Sequence, residues 1–326
     1  MFSDRHLQQK VKELRSQYDL LSQKILRLCE DSAIQAGTSN TFQIEQELKR
    51  AEAERDRIDR ELLNLEQRRM SDRIHRELSR LNYKSQAQLF NQFLEEQRIG
   101  AFLVHGQSEH GQVFLVKRLL NGISNSIITS PIQIYLKRRA SRTDIQALWR
   151  ELGREMGVKD LSNCQEITRQ VVVQLQTQHV ILVFHDLDCI DQEYLAELTH
   201  QFWLPLAELA HRSLLSDHEF YLLMFLLDQE GCVGAWDLRF AEQFDDVWHP
   251  RTPLRMPAIE PLSDQVLLNW MENAIDALPT QMTKKMESSI QMILEKTGGV
   301  PEQVFAQIFS ACGCSWQEEE VRWLDL

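Results

Sequence analysis

The segment from Gly100 to Asn121 has residue types and a spacing that could bind phosphate. Gly106 and Gly111 are separated by four residues, follow an apolar run and precede a helix-like apolar pattern. In a phosphate-binding loop, this spacing lets the N–H groups of the loop and of the following helix point at the phosphates. A lysine then reaches the β- and γ-phosphates, and a hydroxyl group holds Mg²⁺. The glycines therefore predict the outline of a nucleotide site.

The two positions after Gly111 lack the groups that this chemistry requires. Gln112 carries no charge and Val113 has no oxygen to offer a metal. Glu109 adds a negative charge within the loop, and His110 would offset it only if protonated, which its ordinary pKa does not favour at neutral pH. We therefore expect no productive binding of Mg·ATP and no cofactor. The loop is interpreted as a turn kept for strand-to-helix packing.

Two further strand ends lack the expected groups. His185, Asp186 and Asp188 follow a strand-like apolar run. The carboxylate that holds Mg²⁺ should come directly after that strand, so it is displaced or replaced, depending on whether His185 or Asp186 takes that position. A third run, Phe220 to Leu227, is followed by Asp228 to Glu230 instead of a polar sensor or an arginine. Three altered places together predict a protein that is not an enzyme.

Other catalytic or metal chemistry has weaker support. No H-x-x-x-H or C-x-x-C spacing accompanies the histidines, so we expect no metal site. A pair of Cys189 with His185 is more simply a helix start after a strand, and there is no G-x-S-x-G motif. The histidines weighed as ligands are His105, His110, His179 and His185.

The elements that position these residues alternate between strand and helix. Apolar runs on both faces, separated by helical patterns, indicate a mostly parallel sheet covered by helices, an α/β fold like that of P-loop NTPases. We assign this domain to residues 85–257 and a helical C-terminal lobe to 258–326. The predicted strands are 101–104, 132–136, 179–184 and 220–227, and the predicted helices are 111–121, 143–157, 163–176 and 191–212.

The N-terminal segment, residues 1–84, carries an apolar seam of alternating four- and three-residue spacings. A second seam runs from Ile44 to Leu65 after a turn at Ala33 to Thr41, which predicts an antiparallel helical hairpin of coiled-coil type. The segment is either a spacer or an interaction module that supports docking or self-association. The first seam consists of Leu7, Val11, Leu14, Tyr18, Leu21, Ile25 and Leu28.

Charge and composition limit the classes of partner. The formal net charge is −12, so neither nucleic acid nor an anionic membrane is expected as a partner. A basic cluster at Lys137, Arg138, Arg139 and Arg142 is interpreted as a solvated strand end. The polar, charged start of the sequence and the short apolar runs predict a cytoplasmic protein without a membrane span.

The ordered motifs resemble those of a STAND-type ATPase. The glycine loop matches its phosphate loop, HVILVFHDLD its acidic strand end, FYLLMFLLDQ its third core strand, and the late GGVP, with Gly299 and Pro301, its G-x-P motif. With the groups of the loop lost, the chain resembles the inactive STAND family of bacterial, often cyanobacterial, conflict systems. The resemblance runs from about Leu81 to the C-terminus, and the N-terminal seam looks like the coiled-coil or effector-associated modules found beside such domains.

This resemblance implies a signalling scaffold that connects a sensor to an effector through adaptor modules. Its partners would be other proteins, and any killing or cleaving activity would come from one of them. One alternative is a divergent ATPase in which Arg118 or another cation replaces the lysine. Another is a DNA-binding AAA-like adaptor, which the net charge of −12 opposes.

Overall fold

The computed structural model describes most of the chain. The predicted turn between the two seams falls largely outside the described residues, as do Arg139 and Arg142 of the basic cluster. Within the described part, no helix combines the length and the apolarity that crossing a membrane requires. The described residues are 4–34, 41–81, 83–123, 130–138, 144–158, 163–213, 219–245 and 248–316.

The predicted sheet is confirmed. Within the described residues it has five strands in the order β2-β3-β4-β1-β5, and every paired neighbour runs parallel. Strand β4 lies between β1 and β3, so the strand before the glycine loop and the strand with the acidic end are not neighbours. The strands are β1 (Ile99–His105), β2 (Ile132–Tyr135), β3 (Val180–His185), β4 (Leu222–Asp228) and β5 (Leu254–Arg255).

Helices cover both faces of the sheet, and three of them begin at a residue whose side chain caps the helix. The side chains of Asp144, Asn163 and Asp191 accept hydrogen bonds from N–H groups of the first helical turn, which would otherwise lack partners. These helices are α3 (Lys84–Glu96), α4 (Gln112–Asn121), α5 (Ile145–Glu155), α6 (Cys164–Leu175), α7 (Gln192–Leu198) and α8 (Leu204–Ser213).

The helix predicted at 191–212 contains a π-helical turn at Thr199–Trp203, between α7 and α8. Pro205 has no N–H to donate to the carbonyl of Gln201, four residues before it. The N–H of Leu204 instead donates to Thr199, five residues back, and the thiol of Cys164 lies 3.3 Å from the carbonyl oxygen of Gln201. A proline within an otherwise helical pattern thus explains the difference from the sequence-based prediction.

The core has a layer on each face of the sheet because successive strand residues point in opposite directions. Phe102 of β1 and Phe225 of β4 stack 5.5 Å apart under Phe93 and Phe90 of α3. On the other face, buried residues of the same strands pack with α5, α6 and the π-helical turn, where Trp149 and Phe202 lie 5.8 Å apart.

The N-terminal helices α1 (Asp4–Ile34) and α2 (Thr41–Leu78) pack lengthwise. Six residues separate them, a connection of at most about 25 Å, whereas α1 is about 46 Å long. The helices are therefore antiparallel, because a parallel arrangement would require the connection to return along the whole helix. Exposed ion pairs flank the contact, between Lys10 and Glu61 at 2.8 Å and between Arg15 and Glu66 at 2.5 Å.

The C-terminal lobe packs against the same core cluster as α3 and α4. Phe305 of the lobe lies 5.5 Å from Phe114 of α4, and the indole of Trp270 donates to the carbonyl of Glu77 at 2.8 Å. Ser263 caps the first lobe helix by accepting from the N–H of Val266. The lobe helices are α9 (Asp264–Asn273), α10 (Thr280–Lys284), α11 (Met286–Thr297) and α12 (Pro301–Ala311).

Candidate functional site

The glycine loop connects β1 to α4 through a tight turn. Glu109 and Gly111 both adopt left-handed backbone conformations, with φ of 60° and 82°. A Cβ atom at Gly111 would lie 2.5 Å from the hydroxyl of Tyr83 and 2.9 Å from the ring of Phe114. Glycine is therefore required at position 111 both by the backbone angle and by the space available.

Gln112, at the position where a phosphate loop has its lysine, is only 1% exposed. Its side-chain nitrogen donates to the carbonyl oxygens of Gln107 and Asp228 at 3.0 and 3.1 Å, and Gln229 O lies at 3.5 Å. Its side-chain oxygen is buried and has no hydrogen-bond partner among the described residues. Acceptor oxygens thus converge where a phosphate would need donors.

The loop is also held from the side of the N-terminal helices. The hydroxyl of the buried Tyr83 lies 3.4 Å from the carbonyl oxygen of His110 and 3.3 Å from that of Gly111. His110 is 3% exposed, and its Nδ1 lies 2.6 Å from the carbonyl oxygen of Ile259. Because a carbonyl oxygen only accepts, this ring nitrogen carries the hydrogen.

Glu109 contacts the beginning of α12. Its main-chain carbonyl accepts from the N–H of Glu302 at 3.1 Å, and its carboxylate accepts from the side chain of Gln303 at 2.6 Å. The G-x-P residues position this helix, because Pro301 is its first residue and Gly299 accepts from the N–H of Leu262 at 2.7 Å. The loop and the C-terminal lobe are thereby joined by direct hydrogen bonds.

Val113, at the position where a phosphate loop has its hydroxyl residue, is a packing residue. It is 5% exposed and belongs to the core cluster that also contains Phe114 and Leu115. Its apolar side chain contributes to this core and has no oxygen to offer a cation.

The first carboxylate after β3 faces the residue that follows the edge strand β2. The strand ends at His185, so Asp186 comes directly after it, in a left-handed conformation with φ of 61°. Its Oδ1 lies 3.8 Å from the ammonium of Lys137, which follows β2. Its Oδ2 is buried and has no hydrogen-bond partner in the part of the chain that the structure describes. Burial raises the pKa of the Asp186 carboxyl, and Lys137 opposes that shift.

His185 contacts the same edge strand. Its ring stacks on Tyr135 with centroids 4.4 Å apart, and its Nε2 lies 3.1 Å from the side-chain oxygen of Gln133. Burial, assisted by Lys137, lowers the pKa of His185 to about 4. The imidazole is therefore neutral at physiological pH. Its contacts with Tyr135 and Gln133 give it a role in packing against β2.

Asp188 and Asp228 are engaged by main-chain amides. Asp188 Oδ1 accepts from the N–H of Gln229 at 3.4 Å, which joins the ends of β3 and β4. The carboxylate of the buried Asp228 accepts from the N–H groups of Gly231 and Val233, both at 2.9 Å. Burial raises the pKa of the Asp228 carboxyl, and these amides oppose the shift. The bonding role of Asp228 was missed from the sequence, although Asp three residues before Gly is a common turn pattern.

Arg118 does not lie at the lysine position of the loop. Its guanidinium contacts the carbonyl oxygen of Leu81 at 3.3 Å, beside the N-terminal helices. Burial lowers the pKa of this guanidinium. Arg118 also lines a small crevice together with Tyr83 and Phe114. The alternative in which this cation replaces the lysine therefore has no geometric support.

The N-terminal seam faces α2. Val11 and Leu14 are buried in a cluster with Ile58, Leu62 and Leu65. Ile25 is also buried, and the remaining seam residues Leu7, Tyr18, Leu21 and Leu28 are half-buried. Docking of another protein through this seam stays a prediction, and it would use surface that the hairpin already covers.

Comparison with protein families identifies the central segment. The model of the family described as inactive STAND matches residues 78–227, from the end of α2 to β4. The G-x-P residues lie beyond this match. A search of curated proteins found no significant match. By the family match, residues 78–227 belong to the inactive STAND family, and the resemblance seen in the sequence is confirmed for that segment.

Proposed function

We propose that this chain is a non-catalytic scaffold that relays signals between proteins in a prokaryotic defence system. Membership of residues 78–227 in the inactive STAND family supports a non-catalytic module. The single observation that carries the proposal is the side-chain amide of Gln112, which donates to the carbonyls of Gln107 and Asp228.

These contacts oppose nucleotide binding on energetic grounds. A phosphate at the loop would approach carbonyl oxygens of Gln107, Asp228 and Gln229 without a lysine to compensate their charge. Leaving these buried acceptors without their donor costs about 1–3 kcal/mol. The bonds between Glu109 and α12 would also have to break if the loop were to open.

The carboxylates that could hold Mg²⁺ have other partners. Asp186 pairs with Lys137, Asp188 accepts from Gln229, and Asp228 accepts from the turn that follows β4. A metal would have to compete with each of these interactions, and hydrolysis also requires a positioned water molecule. We infer that the domain acts by binding other proteins and not by catalysis.

The N-terminal hairpin supports a role in protein interaction. Several large apolar side chains of α1 and α2 are solvent-exposed, including Leu26 at 64%, Ile34 at 81% and Phe42 at 67%. Scattered exposed apolar residues are common on soluble proteins, so they support docking only together with the scaffold proposal. Sensor or effector proteins, or a second copy, are the proposed partners.

Thermal unfolding with and without Mg·ATP tests the nucleotide part of the proposal. A ligand at about 100 times its dissociation constant stabilises a protein by about 2.7 kcal/mol, which would raise the melting temperature measurably. We expect no change in melting temperature and no phosphate release. Stabilisation together with turnover that is lost in Gly111→Glu would contradict the proposal.

The double variant Gln112→Lys with Val113→Thr provides a second test. It restores the consensus groups of the loop but leaves Asp186 beside Lys137 and Asp228 bound to its turn. We expect at most weak, salt-sensitive nucleotide binding by calorimetry and no steady phosphate release. Tight Mg²⁺-dependent binding with turnover would show that the rest of the site is intact.

A further inference from the structure

A cavity of about 790 Å³ lies beside the π-helical turn, away from the glycine loop. Its walls come from α7, the π-helical turn, the first residue of α8, and the segments 237–240 and 249–253. This volume falls within the range of small-molecule sites, about 300–1,000 Å³. The inactive loop contributes none of its lining residues.

The π-helical turn shapes one wall of this cavity. Thr199, His200 and Leu204 all line it, and the N–H of Leu204 donates to the carbonyl of Thr199. Single π-helical turns are rare overall, and those that do occur are often found at functional sites. Here the turn changes the direction of the helix side chains along the cavity wall, and Pro205 is its physical cause.

The cavity has an apolar part. Leu204, Leu238, Phe240 and Pro253 line it, and the guanidinium of Arg255 lies 5.4 Å from the centroid of the Phe240 ring. Arg255 is itself paired with a carboxylate, so this cation has a partner within the protein. This apolar part of the cavity can accommodate an aromatic ring or an aliphatic chain of a ligand.

Two cationic groups of the lining have no such partner. Neither Arg239 nor Arg251 makes an ion pair or a side-chain hydrogen bond with the residues that the structure describes. By contrast, the exposed Arg169 and Arg212 each pair with a carboxylate on their own helix. Two available guanidinium groups beside an apolar surface can bind an anionic head group through paired N–H donors.

Carboxylates also line the cavity and limit this attraction. Glu193 and Asp237 balance the charge of Arg239 and Arg251, and His200 and His249 complete the set of titratable groups. With neutral histidines the lining has no net charge. Binding would therefore depend on direct contact with the guanidinium groups and little on long-range attraction.

We propose that this cavity binds a small amphipathic organic anion, with the head group at Arg239 and Arg251 and an apolar ring against Leu204 and Phe240. This binding activity goes beyond the scaffold function and does not depend on it. The glycine loop can be entirely inert while this cavity is occupied.

Fluorescence titration with two matched dyes tests the proposal. Anilinonaphthalenesulfonate carries an anionic group, whereas N-phenylnaphthylamine has the same ring system without it. We expect saturable binding of the anionic dye and at least about tenfold weaker binding of the neutral one, since only the anionic dye can accept charge-assisted hydrogen bonds from the guanidinium groups.

Charge variants localise the binding. The double variant Arg239→Gln with Arg251→Gln should lose at least about tenfold in affinity for the anionic dye. Glu193→Gln should gain roughly two- to threefold because it removes an opposing charge. Arg169→Gln is the matched control, an exposed arginine on α6 outside the cavity, and should leave affinity unchanged.

Equal affinity for the two dyes would overturn the proposal, as would an equal loss in Arg169→Gln. An unchanged affinity in the folded double variant would do the same. If the double variant fails to fold by circular dichroism, the opposite-signed effect of Glu193→Gln and the difference between the dyes still decide the outcome.

Discussion

The side-chain nitrogen of Gln112 lies 3.1 Å from the carbonyl oxygen of Asp228 and joins the start of α4 to the end of β4. From β1 the chain crosses to one side of the sheet, and from β4 it crosses to the other. Ligands of parallel α/β sheets bind in the crevice at such a reversal of strand order. Here the amide of Gln112 occupies that crevice.

Replacing Gln112 with leucine should lower the free energy of unfolding by about 1–3 kcal/mol, because buried carbonyls of Gln107 and Asp228 lose their donor. Urea denaturation followed by circular dichroism measures this change. Gln291→Leu, on the exposed face of α11, is the control and should have little effect. Equal stability of the two variants would show that the amide of Gln112 contributes nothing.

Gly111→Ala should lower the free energy of unfolding by about 2–4 kcal/mol, since the added Cβ requires a left-handed conformation and meets the hydroxyl of Tyr83. Tyr83→Phe alone should cost about 1 kcal/mol because it loses long hydrogen bonds to the loop. The double variant should be more stable than the sum predicts, because the clashing oxygen is absent. Additive losses in a double-mutant cycle would refute the contact.

His185 should make stability dependent on pH. Its pKa is lowered from 6.5 to about 4 in the folded protein, so only the unfolded chain binds a proton between these values. Its contribution is therefore fully present above pH 6.5 and is lost as pH falls towards 4, by roughly 3 kcal/mol at most.

Melting temperatures of wild type and His185→Gln across this pH range test the prediction. Glutamine can still donate to Gln133 but does not titrate, so the variant should lose less stability on acidification. Parallel curves for the two proteins would exclude His185 as the source. The comparison also cancels the titration of Asp186, which remains in both.

Two leucines of α1 separate folding of the hairpin from docking. Leu14→Asp places a carboxylate in the contact with α2 and should cost roughly 3 kcal/mol, detected as lower helix content and faster trypsin cleavage of residues 1–84. Leu26→Asp, at a side chain that is 64% exposed, should leave the hairpin folded.

Light scattering and pull-down experiments on the same variants test docking. If the exposed hairpin surface binds a partner or a second copy, Leu26→Asp should reduce association without loss of helix content. If Leu26→Asp associates like wild type, the interaction module is not on this surface. Retained association in both variants would assign the hairpin a spacer role.

The sequence predicts the elements of this fold well because most strands are apolar on both faces. The runs at 179–184 and 220–227 fall within one to two residues of β3 and β4, and the spacing from Gly106 to Gly111 predicts the turn before α4. Such local signals depend on periodicity and on glycine, which are visible in one sequence.

Other features depend on contacts between distant residues. From the sequence, Gln112 is interpreted only as the replacement of a lysine. Its hydrogen bond to Asp228 forms because β4 lies beside β1, and no local sequence pattern predicts that strand order. The direction of Asp186 likewise follows from Lys137, which comes just after the neighbouring strand β2. The π-helical turn had a visible cause in Pro205, but its partner in Cys164 lies 37 positions from Gln201.

The bonds from Glu109 to Glu302 and Gln303 have a mechanical consequence. They join the glycine loop to α12, so a displacement of the C-terminal lobe would strain or break contacts at the carboxyl edge of the sheet. A force on the lobe would therefore act on the same edge of the sheet at which phosphates bind in working P-loop domains. The connection between the C-terminal lobe and the sheet edge is made by residues of this chain itself.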